Sequence, residues 1–188
     1  MRAKTVHSNA WVFDFDDTLV RTDAKIHIYK SGRRIYSLTP EEYNKYVPKP
    51  GETINNDDFA DPRIIMNARK YKMWPELKRV DMANKMGKLT DDIYILTARD
   101  HRAELPIYAF LSREGINIPR DNVIGVGEVK QEDREGMSGA ERKGMVLKEL
   151  TNKYDTVYFF DDSQDNIDKA REIPRVETRL IEMYKIIK

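Results

Sequence analysis

The chain has 188 residues, which is enough for one domain with a real core and too few for two large domains. Its 33 Lys and Arg balance 32 Asp and Glu, so no global field favours nucleic acid or an anionic membrane as a partner. The sequence contains no cysteine and three scattered histidines, which excludes disulfides and thiolate sites and disfavours a histidine-rich metal site. Oxygen ligands remain for any metal ion.

No apolar run approaches the roughly 20 residues that a membrane-spanning helix needs. The first nine residues are polar and lack the apolar core of a signal peptide. We therefore expect a soluble, cytoplasmic protein without a membrane partner.

The first predicted strand carries the most informative residues. The apolar run Trp11-Val12-Phe13 predicts a buried strand that ends in Asp14, Asp16, Asp17 and Thr18. The side-chain period of two places Asp14 and Asp16 on one face. Burying unpaired carboxylates costs several kcal/mol each, so this strand end needs water, a metal ion or a ligand. Two such carboxylates suit Mg²⁺ and leave one free to attack or to move a proton. The alternative, a simple acidic turn, is disfavoured by a second acidic strand end farther along.

Residues 21–62 have the pattern of a small insertion. Alternating segments at 24–30 and 34–38 predict a hairpin around Ser31-Gly32-Arg33. Thr39 and Glu42 predict a capping box for a helix over residues 40–46. The polar, turn-rich segment 51–62 follows. We expect these residues to form a cap over the acidic strand end.

The rest of the chain alternates predicted helices and strands. A helix is expected from Ile64 with an interruption at Pro75, and further helices over 76–86, 102–113, 141–153 and 164–172. Strands are expected over 92–99, 122–126, 156–160 and 176–183. A long charged loop is expected over 127–139. This order predicts an α/β fold, a three-layer Rossmann-like sheet with mostly parallel strands. We expect one domain, with its core at about 8–20 and 63–188.

Parallel sheets bind ligands beyond the carboxyl ends of their strands. Three of the predicted strands end in polar groups that could form one floor: Asp14 and Asp16, then Thr97 and Arg99, then Asp161 and Asp162. The sequence here resembles the haloacid dehalogenase-like superfamily. Its DxDxT motif matches Asp14 to Thr18, its second motif matches the strand ending in Thr97, and its fourth matches Asp161-Asp162. Its motif lysine is best matched by Lys143, with Lys148 and Lys153 as alternatives.

The resemblance implies roles for these residues. Asp14 would be the nucleophile that forms an aspartyl-phosphate, and Asp16 the general acid and base. Mg²⁺ would be held by Asp14, the backbone carbonyl of Asp16, and Asp162. Asp161 is a weaker metal candidate than Asp162, because adjacent residues on a strand face opposite ways. Phosphoryl oxygens would be bound by Thr18, Thr97 and Lys143.

Arg99 has a separate resemblance. The step Thr97-Ala98-Arg99 resembles the Ser-Gly-Arg step of phage-type polynucleotide kinase 3′-phosphatase domains. This implies that Arg99 contacts phosphate, with an ordinary surface arginine as the alternative.

The predicted function is that of a Mg²⁺-dependent phosphomonoester hydrolase. An aspartate at position 16 disfavours the dehalogenase branch of the superfamily. One alternative is a 3′- or 5′-phosphatase of nucleotide or nucleic-acid ends, which Arg99 and the basic pair Arg33-Arg34 favour slightly. Another is a non-catalytic phosphate-binding module. The expected substrate is a phosphorylated small molecule, a nucleotide or a nucleic-acid end, selected by the insertion.

Overall fold

The computed structural model describes residues 8–127 and 136–182, which form a parallel sheet between two helical layers, with a smaller antiparallel sheet beside it. The strands are β1 (Asn9–Phe13), β2 (Val20–Arg21), β3 (Ile26–Lys30), β4 (Arg33–Leu38), β5 (Glu52–Asn55), β6 (Arg69–Lys70), β7 (Asp92–Thr97), β8 (Val123–Gly125), β9 (Thr156–Asp161) and β10 (Val176–Leu180). The helices are α1 (Pro40–Tyr43), α2 (Pro62–Met66), α3 (Trp74–Lys85), α4 (Glu104–Arg113), α5 (Gly139–Leu150) and α6 (Gln164–Arg171). Short 3₁₀ turns lie at Asp57–Ala60, His101–Ala103 and Arg120–Asn122.

The central sheet has five parallel strands in the order β10-β9-β1-β7-β8. The chain winds outward from β1 in both directions, so β1 lies in the middle, with Phe13 paired to Ile95 of β7 and Phe160 of β9. This arrangement confirms the predicted α/β, three-layer, Rossmann-like fold. It also brings the ends of β1 and β9 together at one edge of the sheet.

The strands are apolar at successive positions because both faces of the sheet are covered. Phe13 belongs to one core with Leu77 of α3 and Phe110 of α4. The preceding residue, Val12, belongs to a second core with Leu147 of α5. Burial of each such side chain contributes about 1.5–3 kcal/mol. The two cores hold β1 rigidly, and the residues that follow it inherit a fixed position.

A two-stranded ribbon encloses the predicted insertion, and its second strand, β6, lies beyond the predicted end at residue 62. β2 pairs antiparallel with β6, so that Arg21 lies opposite Arg69. Between them, the chain forms a three-stranded antiparallel sheet in the order β4-β3-β5. The predicted hairpin is confirmed, and its turn residues Ser31 and Gly32 have φ of 50° and 74°, as a two-residue turn of this kind requires. The capping box of Thr39 and Glu42 is also confirmed. That this segment acts as a cap stays a prediction.

Three element predictions were wrong. The helix expected from Ile64 ends at Met66, and the chain then pairs with β2 as β6. Pro75 does not interrupt a helix; it lies in the first turn of α3, where a missing N–H costs nothing. The polar segment after Gly51 contains β5, which pairs with β3 and has a single apolar residue, Ile54.

Two predictions reach residues outside the described part of the chain. The expected loop over 127–139 includes residues 128–135, and the expected last strand includes residue 183; both lie beyond the described ranges. Within residues 8–127 and 136–182, no helix has both the length and the apolar composition needed to cross a bilayer. The cytoplasmic location stays a prediction.

Candidate active site

A cleft of about 740 Å³ lies at the carboxyl ends of the central strands. Its floor includes Asp14, Asp161 and Asp162, from the ends of β1 and β9. One wall is the start of α5 around Gly139, and the opposite wall belongs to the insertion, with Ile26, Asn44 and Phe59 among its residues. The cleft therefore lies between the two sheets, where the strand order of the central sheet reverses.

Lys143 links the two acidic strand ends. Its Nζ lies 2.6 Å from Asp14 Oδ1 and 2.7 Å from Asp161 Oδ2, and its side chain is only 2% exposed. The capping box of Ser138 and Glu141 fixes the start of α5, which places Lys143 on the inner face of the helix. Lys148 and Lys153, the alternatives at the sequence level, are exposed. Lys143 is thus the one of the three whose ammonium reaches the cleft floor.

Asp161 is fully engaged by hydrogen bonds. Its Oδ1 accepts bonds from the Ser163 backbone N–H at 2.9 Å and from Asn166 Nδ2 at 2.9 Å. Its Oδ2 accepts from Lys143 and from Asn166 Nδ2 at 3.0 Å. These bonds satisfy both oxygens, so the Asp161 carboxylate is held in a fixed position beside Lys143. The ranking of Asp162 above Asp161 as a metal ligand agrees with this arrangement and stays a prediction.

Burial dominates the electrostatics of the floor. It raises the pKa of Asp14 well above its usual value, because the Lys143 charge only partly offsets burial and the nearby Asp161, Asp16 and Asp162 carboxylates. Burial, followed by the charges of Asp161 and Asp17, raises the pKa of Asp162 to about 6. For Lys143, burial opposes the charged form, but the carboxylates of Asp14 and Asp161 raise its pKa above the usual value.

These carboxylates fit a hard divalent cation. One oxygen each of Asp14, Asp161 and Asp162 lies within 4.8 Å of the others, a spacing that a single ion can bridge. Burial and the repulsion of neighbouring carboxylates raise the pKa of both Asp14 and Asp162. A bound cation would offset both effects.

Asp16 enters the same cleft but has a different partner. Arg99 donates from Nε to Asp16 Oδ2 and from Nη2 to Asp16 Oδ1, both at 2.7 Å, which is a bidentate pair. Arg99 also donates to Thr22 Oγ1 at 2.9 Å and to the Phe59 carbonyl. Its guanidinium lies near the rings of Phe15 and Phe59.

The position of Arg99 depends on a close backbone contact. A Cβ atom on Gly127 would lie 2.7 Å from the Ala98 carbonyl oxygen, which is too close for any side chain. The Gly127 N–H instead donates to the Arg99 carbonyl at 2.9 Å. Glycine at this position therefore lets the chain hold the Arg99 loop against the cleft.

The two predicted phosphate-binding threonines lie below the cleft surface. Thr18 is 0% exposed, and its hydroxyl has no hydrogen-bond partner among the described residues. Thr97 is 1% exposed, and its Oγ1 accepts a bond from the Arg99 N–H at 3.2 Å. Neither side chain lines the cleft. That the two threonines and Arg99 contact phosphate stays a prediction. Arg99 already donates four hydrogen bonds, to Asp16, Thr22 and the Phe59 carbonyl.

The sequence predicted that the insertion would cover the acidic strand end, but it did not identify Thr22 and Phe59 as site residues. Thr22 and the Phe59 carbonyl both accept bonds from Arg99, and Phe59 also lines the cleft. A backbone carbonyl leaves no trace in a side-chain pattern. Asn166 carried a weak signal, because it follows the acidic pair on α6, where an amide can orient a carboxylate.

No family model matches the sequence, and no curated protein matches it. Among solved structures, the chain is similar to a chain of the Pnkp1/Rnl/Hen1 RNA repair complex, with a TM-score of 0.55 and 16% identity over 99% of this chain and 46% of that one. A second structure of the Pnkp1/Rnl/Hen1 complex gives a TM-score of 0.50 and 17% identity, over 95% of this chain and 47% of that one. A haloacid dehalogenase-like family hydrolase from Streptococcus pneumoniae gives 0.46 and 14%, over 91% and 83%.

The chain spans about half the length of the two repair-complex chains. At these identities the similarity concerns the fold. In its α/β fold, the chain is similar to a component of the Pnkp1/Rnl/Hen1 RNA repair complex.

Proposed function

We propose that the protein is a metal-dependent phosphomonoester hydrolase, with Asp14 as the nucleophile and Asp16 as the general acid and base. One observation carries this proposal: two carboxylates enter one cleft, and each is held by its own buried cation. Lys143 holds Asp14 at 2.6 Å, and Arg99 holds Asp16 in a bidentate pair. Two carboxylates in different environments can take different roles in one reaction.

In the first step, an oxygen of Asp14 attacks phosphorus and the bond from phosphorus to the leaving oxygen breaks, which gives an aspartyl-phosphate. Asp16 donates the proton that the leaving oxygen takes up. In the second step, Asp16 removes a proton from water as the water attacks phosphorus, and Asp14 and inorganic phosphate are released. Arg99 fixes the orientation of Asp16 for both transfers.

Lys143 and the start of α5 can bind the phosphoryl oxygens. An ammonium group has three N–H donors, and Lys143 uses two of them on Asp14 and Asp161. Because Lys143 lines the cleft, its third N–H can bond a phosphoryl oxygen there. The first turn of α5 also lines the cleft through Ser138, Gly139 and Ala140, and the N–H groups of a helix start favour an anion.

Mg²⁺ is the proposed cofactor. Asp14 and Asp162 would hold it, with the Asp16 backbone carbonyl as the predicted third protein ligand. When bound, the ion offsets the repulsion between an anionic nucleophile and an anionic phosphate. Asp161 would keep its place beneath it, bonded to Lys143 and Asn166.

Mg²⁺ should stabilise the protein more at pH 7.5 than at pH 5. Asp162 has a folded pKa of about 6, raised from an ordinary value of 3.8. In the metal-free protein, the contribution of Asp162 to the free energy of unfolding is therefore complete below pH 3.8 and is lost as the pH rises through about 6. The ion competes with the proton that Asp162 gives up, so the rise in Tm on adding Mg²⁺ should increase over that window.

Thermal unfolding with and without Mg²⁺ at several pH values measures this effect. The Asp162→Asn variant is the control, and its Tm difference should be small and should vary less with pH. An equal Tm rise at pH 5 and pH 7.5 in the unaltered protein would contradict the assignment of Asp162.

Replacing Arg99 with lysine should lower kcat about a hundredfold and leave KM nearly unchanged. Lysine keeps the charge but cannot make two parallel bonds to Asp16, and a small misplacement of a reacting group has an effect of this size. Arg102→Lys is a matched control, because Arg102 makes a similar pair with Asp100 but is exposed. A raised KM with normal kcat would show instead that Arg99 binds phosphate, as the sequence resemblance implies.

Phosphate release in the presence of Mg²⁺, from nucleotides, sugar phosphates and 3′- or 5′-phosphorylated oligonucleotides, tests the proposed function. Saturable phosphate binding without turnover would favour the non-catalytic phosphate-binding module.

A specific observation favours a substrate with a large leaving group, such as a nucleotide or a nucleic-acid end. A second cavity of about 600 Å³ adjoins the cleft and shares Asp16, Asp17, Pro40 and Phe59 with it. The combined space is far larger than a phosphoryl group and continues along the insertion. An end-processing phosphatase of this kind is therefore our second candidate function, and similarity in fold to a chain of an RNA repair complex agrees with it.

A further inference from the structure

The insertion over residues 21–62 is neutral, with seven Lys and Arg and seven Asp and Glu, but its middle part is basic. Residues 24–56 contain six Lys and Arg and three Glu, whereas the full chain has a net charge of +1. Four of the ten tyrosines also lie in this segment: Tyr29, Tyr36, Tyr43 and Tyr46. Basic residues interleaved with aromatic ones are typical of surfaces that bind single-stranded nucleic acid.

The cations are concentrated at the hairpin tip. Lys30 and Arg33 lie directly opposite each other on β3 and β4, and Arg34 follows. All three are exposed, and the tight turn at Ser31 and Gly32 fixes their spacing. Like charges opposite each other destabilise a strand pair. Glu52, opposite Lys30 on β5, offsets part of this repulsion, but its carboxylate also accepts bonds from Tyr46 and from the Lys49 N–H. An external anion at the tip would relieve the rest.

The next row of side chains on the same face of the sheet, toward the cleft, is apolar. Tyr36 and Ile54 flank Ile28 across the three strands, and both are 47% exposed. The Tyr46 ring packs against the Tyr36 ring at 5.8 Å between centroids and limits its motion. An exposed aromatic ring held in place offers a flat surface on which a base can stack.

The same face of the sheet reaches the cleft. Ile26 lies two residues from Ile28 along β3, so the two side chains share a face, and Ile26 lines the cleft. From the basic tip to Ile26 the distance along β3 is four residues, or roughly 13 Å. Cations, an aromatic ring and the acidic floor therefore follow one another in a line. We call Lys30, Arg33, Tyr36 and Ile54 the insertion patch.

We propose that the insertion patch binds a single strand of nucleic acid, with a base stacked on Tyr36, backbone phosphates at the hairpin tip and the terminal phosphate in the cleft. This inference rests on the proposed function and names the surface that selects its substrate. A single strand is favoured over a duplex because stacking on Tyr36 needs an unpaired base.

Two sets of variants test the patch. Lys30→Ala/Arg33→Ala should weaken binding of a single-stranded hexanucleotide about tenfold at low salt and reduce the slope of log affinity against log salt by up to about 1.4. Tyr36→Ser should lower kcat/KM for a 3′- or 5′-phosphorylated hexanucleotide between about fivefold and 150-fold, whereas Tyr36→Phe should match the unaltered protein because it keeps the ring. With p-nitrophenyl phosphate, which is too small to reach the patch, all variants should keep the original kcat/KM.

Lys88→Ala/Lys153→Ala is the matched control, since both lysines are exposed and precede β7 and β9, at the edge of the sheet opposite the cleft. Fluorescence anisotropy with an unphosphorylated hexanucleotide measures binding without turnover and separates the two hypotheses. Unchanged affinity and salt slope in Lys30→Ala/Arg33→Ala would overturn the patch even if hydrolysis is normal. Intact, patch-dependent binding with no hydrolysis of any phosphomonoester would overturn the function and leave the patch. Equal affinity for a blunt duplex or for an acidic peptide would also overturn the inference.

Discussion

The Asp14→Asn variant should lose turnover, with kcat reduced about 10⁴-fold or more on every substrate. The amide has the same shape but cannot act as a nucleophile toward phosphorus. Asp14 follows β1 directly and its backbone N–H donates to the Phe160 carbonyl at 2.9 Å, so the position of the side chain should not change. The loss should therefore appear in kcat rather than in KM.

Phosphate release gives the rate, and acid quenching after mixing with a labelled substrate detects the covalent intermediate. The unaltered protein should carry label and Asp14→Asn should not. Asp168→Asn is the matched control, because Asp168 is an exposed aspartate on α6 that pairs with Arg171. A fully active Asp14→Asn protein, or labelled protein in that variant, would remove Asp14 from the role of nucleophile.

Replacing Lys143 with methionine should destabilise the fold by about 3–5 kcal/mol, the usual effect of removing one partner from a buried ion pair. Methionine fills similar space but leaves Asp14 and Asp161 buried without their cation. For a chain of this length, each kcal/mol lowers Tm by about 2–4 °C, so a loss of about 10 °C is expected. Lys148→Met, at an exposed position of the same helix, should have little effect.

The pH dependence of this variant has a defined sign. Loss of the Lys143 charge should raise the pKa of Asp14 further, because Lys143 is the main group that opposes the effect of burial. A group with a raised folded pKa stabilises at low pH and loses that contribution as the pH rises through it. The deficit of Lys143→Met should therefore be largest at high pH and should shrink as the pH falls, and adding Asp14→Asn should restore part of it. A deficit that does not change with pH would indicate lost packing alone.

The sequence predicted the parts of the site that depend on the central strands. Apolar runs such as Trp11 to Phe13 define buried parallel strands, and the polar residues that end them must meet at one edge of the sheet. That pattern predicted Asp14, Asp161 and Asp162 at one edge of the sheet, and in the structure one carboxylate oxygen of each lies within 4.8 Å of the others. The proposed roles of these residues wait on the experiments above.

Partners that lie far apart in the chain were beyond the reach of such patterns. Arg99 pairs with Asp16 across 83 positions and with the Phe59 carbonyl across 40, and no periodicity in the sequence connects them. β5 was not predicted because its residues are mostly polar, and its strand structure depends on pairing with β3. The burial of Thr18 could not be predicted either, because a DxDxT pattern does not show whether the hydroxyl faces the cleft or the core.

The ribbon of β2 and β6 has a consequence for how this protein tolerates change. Arg21 and Arg69 lie opposite each other, and antiparallel partners of this kind have Cα atoms about 5 Å apart. The chain thus leaves the central sheet and returns to it through neighbouring points. Between them, Ile65 is buried in the core. Thr22 and the Phe59 carbonyl accept bonds from Arg99, so only the segment from β3 to β5 is a surface loop for the central sheet. The entropy of closing such a loop grows only slowly with its length. The segment from β3 to β5 should therefore tolerate large changes in length, and one wall of the cleft can change while its acidic floor stays the same.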